Sequence, residues 1–114
     1  MSKATLGAGD VQIVLDGETV TLRPSLKAAL TISREAGGIM GAFRGLSDLN
    51  LDTVTGIIAV GLGKKPAEIE EAVWRTGIAS LVPGCTKFVS IIANGGRPAD
   101  EGDGGSEKGN PQSA

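Results

Sequence analysis

Few residues of this chain are of types that do chemistry: Cys85, the carboxylates Glu68, Glu70 and Glu71, the run Gly61-Leu-Gly-Lys-Lys65, and Trp74. A cysteine nucleophile needs a base, and the chain has no histidine. Triads with a histidine base and zinc sites built from Cys and His are therefore excluded. Cys85 shares a helical spacing with Leu81 and Phe88, which reads as a small buried hydrophobe. Glu68 and Glu71 are three residues apart and share a helix face. They open a helix just after Lys65-Pro66, where the dipole favours negative charge. Acid–base work needs a pocket that raises a carboxyl pKa, and nothing in the sequence supplies one. Gly61–Lys65 superficially suggests a phosphate loop, but it follows a helical pattern instead of a strand, so it reads as a positively charged helix end. Gly37-Gly38 and Gly95-Gly96 lack the lysine and hydroxyl of such a loop.

Trp74 stands apart. It falls off the apolar stripe Ile69, Ala72, Val73 and Thr76 of its own helix. Two readings are open: packing against a neighbouring element, or a surface anchor for a partner, a role in which tryptophan is enriched. The expectation is no catalytic, cofactor or metal residues, with Trp74 as the candidate partner contact.

Composition narrows the function classes further. Of 114 residues, 40% are hydrophobic but only 3% aromatic, so the core must be aliphatic. From Met1 to Ala93 there are nine basic and nine acidic residues; the net charge of −2 comes from the stretch after Asn94. A neutral body disfavours nucleic acid as a partner, because phosphate binding needs a clustered positive field. The start has no hydrophobic run of signal-peptide length, and no stretch approaches the ~20 apolar residues of a membrane span. Cytoplasmic synthesis and no membrane association are expected.

The elements that must position these residues follow from periodicity. Val11–Leu15 and Glu18–Leu22 flank Asp16-Gly17, a two-residue hairpin turn that needs positive φ at both positions. Pairing Leu15 with Glu18 places Val11, Ile13, Val20 and Leu22 on one side of the ribbon. Arg23-Pro-Ser25 ends the strand and opens a first helix over about 25–36, with Leu26, Ala29, Leu30 and Ser33 marking one face, Ile32 nearby, and Gly37 at its left-handed end. A weak helix follows over 39–46, carrying Ile39, Met40, Phe43 and Leu46. A third spans 51–62 with a wide apolar face and is expected to be the most buried. A fourth begins at Pro66 and is capped by Gly77. A fifth runs to about Ala93, and Pro83, which fits a first turn, places its regular start near Ser80 or later. The layout is α+β: a hairpin covered by four to five short helices, over residues 10–93. Residues 1–9 read as a flexible lead and 94–114 as a disordered Gly-rich acidic tail.

This order of elements resembles the phage tail assembly chaperone family, in its gene transfer agent branch, also labelled phage tail tube protein. The likeness rests on Val11–Leu15, the Asp16-Gly17 turn, Val20-Thr-Leu-Arg-Pro24 and the helix after it. It continues through Leu46–Leu62, Pro66–Gly77 and the last apolar helix, covering residues 9–93. One departure is visible in Ile32-Ser-Arg-Glu-Ala-Gly37, where the acid and the glycine stand closer together than the family pattern has them. The resemblance implies a non-enzymatic role in the bacterial host cytoplasm. It implies binding to the tape measure protein, help in recruiting tail tube subunits, and possible homo-oligomerisation. Its alternative is a structural tail component that stays in the particle. It also implies that a longer frameshifted product could join after Asn94.

Overall fold

The computed structural model describes residues 8–98. The chain orders as β1 (Val11–Leu15), β2 (Glu18–Leu22), α1 (Leu26–Ala36), α2 (Ile39–Ser47), α3 (Leu51–Leu62), α4 (Pro66–Thr76) and α5 (Ile78–Ala93). This is the expected α+β architecture. Asp16 and Gly17 take φ of 53° and 84°, and the antiparallel register pairs Leu15 with Glu18, Ile13 with Val20 and Val11 with Leu22. Val11, Ile13, Leu15 and Leu22 are buried, while Val14 on the other face is exposed. The ribbon is stable because that face lies on the helices, as an isolated two-stranded hairpin would not be.

Two glycines set the approach of the hairpin. A Cβ at Gly84 of α5 would meet Ile13 Cγ2 at 2.6 Å, and one at Gly61 of α3 would meet Leu22 Cβ at 2.9 Å. The Arg23 N–H also donates to the Gly61 carbonyl at 2.9 Å, tying the strand end to the last turn of α3. The turn is tied to α4: the Asp16 N–H donates to Thr76 Oγ1 at 2.6 Å and Arg75 reaches Asp16 at 3.3 Å. α3 is the central helix, with Val54, Ile57, Ile58 and Ala59 buried. Its N-terminus is capped by Asn50, which accepts from the Thr53 N–H at 3.1 Å.

Helix ends share one device. A left-handed residue follows four of the helices: Gly37 and Gly63 directly after α1 and α3, and Leu49 and Gly95 one residue further on after α2 and α5. Each time the next N–H returns to the carbonyl five residues back, as in Asn50 to Gly45 and Gly96 to Ile91. This closing motif usually takes glycine at the left-handed position, and Leu49 (φ 55°) fills it with a bulky side chain.

Three expectations are corrected. On α1 the buried residues are Ala28 and Ile32, whereas Leu26 and Leu30 are 76% and 42% exposed. The two pairs lie about 160° apart around the helix, so the face read as inward is largely the outward one. Ser25 caps α1 by accepting from the Ala28 N–H at 3.0 Å, and with the Arg23–Gly61 bond this sets the rotation of the helix. Met40, read at one helical spacing with Ile39, Phe43 and Leu46 of α2, is also exposed, while Leu46 is buried. α5 begins at Ile78, so Pro83 sits inside it; both Ala79, whose carbonyl loses its donor, and Pro83 face solvent. Contacts also continue on either side of residues 10–93. Gly9 is buried against Gly96 and Pro24, and the Asn94 amide donates to the Arg97 carbonyl at 3.0 Å. The rest of the predicted flexible lead and tail, residues 1–7 and 99–114, lies outside the described residues.

Candidate functional site

α1 and α4 both pack on α3. Between α3 and α4 lies a cleft lined by Leu51, Asp52 and Thr55 from α3 and Glu70, Glu71 and Trp74 from α4. Trp74 is 66% exposed, so of the two readings the packed one does not describe it, and the indole lies open on the surface. It is outside the core because Ile69 and Val73 point α4's apolar stripe inward, one residue away from it.

Helical spacing puts Glu70 and Glu71 beside the indole, four and three residues before it. Glu71 is held by Arg75 at 3.0 Å, and Arg75 also reaches Asp16. The hydrogen bond to Asp16, then the charges of Asp16 and Glu71, hold the Arg75 guanidinium above its ordinary pKa. Asp52 and Glu70 enter no ion pair among the described residues. The cleft is thus an aromatic surface rimmed by two unneutralised carboxylates. Beneath it Thr55 is buried, and its Oγ1 finds no hydrogen-bond partner, the one such side chain among the described residues. An aromatic face beside carboxylates suits a cation carried on an apolar stem, through ion pairing and cation–π attraction.

The other sequence candidates are structural. Cys85 is fully buried between Leu81 and Phe88 on α5, and burial pushes its thiol up to about 12. Glu68 accepts from the Lys65 N–H at 3.0 Å and so closes the start of α4. Gly61–Lys65 is the end of α3, with Gly63 left-handed. Among the described residues no group of three or more His, Cys, Asp or Glu could hold a metal, and no helix is long and apolar enough to cross a membrane.

Sequence reasoning found Trp74 and missed its neighbours. Leu51 read as part of the wide apolar face of α3, and Asp52 and Thr55 carried no reading of their own. The available signal was the acid pair Glu70 and Glu71 at helical spacing from an unplaced tryptophan. The second missed feature is the exposed α1 face: Leu26 and Leu30, with Lys27 and Arg34 exposed beside them. No family model, no curated protein and no solved structure matches the chain.

Proposed function

We propose that this chain is a non-enzymatic tail assembly chaperone of a phage, prophage or gene transfer agent. It acts in the host cytoplasm, binding helical segments of the tape measure protein and assisting recruitment of tail tube subunits. The reading comes from the resemblance carried by residues 9–93. The observation that supports it is Trp74, largely exposed in an acid-rimmed cleft between two helices. Such an aromatic anchor suits an amphipathic helix laid in a groove.

Co-expression of the full chain with segments of the tape measure protein tests this. The expected result is a gain in the segments' solubility that Trp74→Ala removes. No gain with the unaltered chain refutes the mechanism. Mass spectrometry of purified particles addresses the rival: stoichiometric protein in finished particles would assign the chain to the tail structure instead.

A further inference from the structure

The two exposed surfaces of this molecule are chemical complements. On α1, Leu26, Leu30 and Arg34 succeed one another at four-residue intervals, and Lys27 lies one turn before Leu30. Leu26 is 76% exposed and Leu30 42% exposed. Lys27 and Arg34 enter no ion pair among the described residues. The α3–α4 cleft offers the reverse set: Leu51 and the Trp74 ring for apolar contact, with Asp52 and Glu70 unneutralised at its rim. One surface presents two leucines beside two cations, and the other a leucine and an indole beside two carboxylates.

We propose that copies of this chain associate head to tail, the α1 face of one copy seating in the Trp74 cleft of the next. Complementarity of charge selects a second copy as the occupant. Either face against itself would oppose like charges, Lys27 and Arg34 in one case, Asp52 and Glu70 in the other. The faces share no residue and both are open within one copy, so their contact is made between copies. A contact between two different faces is heterologous and leaves a free face at each end, so it grows into a ring or a filament. This association requires no tape measure protein; it uses the Trp74 cleft that the tail-assembly reading gives to a tape measure helix, so the two occupants would compete, and the Lys27 and Arg34 variant, which leaves the cleft intact, tells them apart.

The test uses two variants of the full chain. In one, Lys27→Glu with Arg34→Glu reverses the α1 face; in the other, Trp74→Ala removes the floor of the cleft. All three positions are exposed, and matching circular dichroism spectra check the fold. Leu30→Gln is a second α1 variant should the charge reversal disturb it. In sedimentation velocity the unaltered chain forms concentration-dependent oligomers, and each variant alone raises the dissociation constant at least about tenfold. Mixed at equal amounts, the variants share one intact pair of faces and form a dimer that grows no further. Trp74 is the chain's one tryptophan, so it reports directly. Emission from the α1 variant shifts to shorter wavelength when the Trp74→Ala variant, which carries the intact α1 face, is added. Three results overturn the proposal. These are an unaltered chain that stays monomeric at ~1 mM, a value at which only very weak contacts stay open, a mixture that stays monomeric, and oligomers that only one of the two variants disrupts.

Discussion

Gly56 and Gly61 lie one and a half turns apart in α3, and replacing each with alanine measures how the hairpin bears on this helix. Both substitutions gain the same helix propensity, about 1 kcal/mol. That contribution cancels in their difference, which isolates what the added methyl meets. At Gly56 the nearest atom is Glu35 Oε1 at 3.7 Å, an ordinary contact at the end of a flexible side chain. At Gly61 the methyl would stand 2.9 Å from Leu22 Cβ and 3.3 Å from Leu22 Cα. Carbon atoms pack best at roughly 3.5–4.0 Å, so β2 must retreat by about 0.6–1 Å. Leu22 is fully buried and cannot turn away, and the Arg23–Gly61 hydrogen bond stretches with the same motion. Overpacking of this kind costs about 1–3 kcal/mol. Gly56→Ala should therefore stabilise by up to ~1 kcal/mol, and Gly61→Ala should be neutral to destabilising by ~2 kcal/mol. With a urea m-value of ~1 kcal/mol per M, the midpoints separate by roughly 1–3 M. Far-ultraviolet circular dichroism in urea reads this directly, provided the slopes agree. Coincident midpoints would refute the packing of β2 on the last turn of α3.

Three further outcomes are expected. Leu49→Gly relieves a left-handed bulky residue at the end of α2 and should stabilise by ~0.5–1 kcal/mol after the entropy cost of glycine, read as a raised urea midpoint; a lowered midpoint refutes the strain. Burial raises Cys85 from 9.0 to about 12, so the unfolded chain loses this proton first. The stability the thiol contributes is whole below pH 9 and falls between pH 9 and 12, by up to ~1.4 kcal/mol per pH unit; Cys85→Ala should flatten that slope, and an equal slope in both proteins refutes it. Thr55→Val replaces an unbonded buried hydroxyl with a methyl and should raise the unfolding free energy by ~1 kcal/mol; a loss in thermal unfolding would show that the hydroxyl is bonded.

The hairpin and the helix boundaries were legible in the sequence because their determinants are local. Asp16-Gly17 dictates its turn, Ser25 and Asn50 cap the helices that follow, and Gly37 and Gly63 close α1 and α3. Where a determinant was not local, the reading went astray. Pro83 argues against an earlier helix start, yet α5 begins at Ile78 because its buried stripe packs regardless and the carbonyl left open points to water. Gly41 and Gly45 weaken α2 as a helix by propensity. Gly45 nonetheless sits where a Cβ would strike the Thr53 side chain, so its cost secures the close approach of α2 to α3.

The candidate site shows the same division more sharply. Trp74 could be singled out because its own helix has one inward stripe and the indole lies off it. α1 offers no such contrast: Leu26, Ala28, Ala29, Leu30 and Ile32 put apolar side chains on opposite sides, and either side could face the core. The choice is made elsewhere, by the cap at Ser25 and by the bond from Arg23 to Gly61, which join α1 through β2 to the centre of the molecule. Turning α1 so that small Ala28 meets the interior leaves two leucines and two unpaired cations outside. The residues that confounded the reading of the fold are thus the ones left free for contact. An α1 surface that served only solubility would have no use for Leu26 at 76% exposure beside cations, and in the association proposed above the acid-rimmed Trp74 cleft supplies the chemistry that answers it.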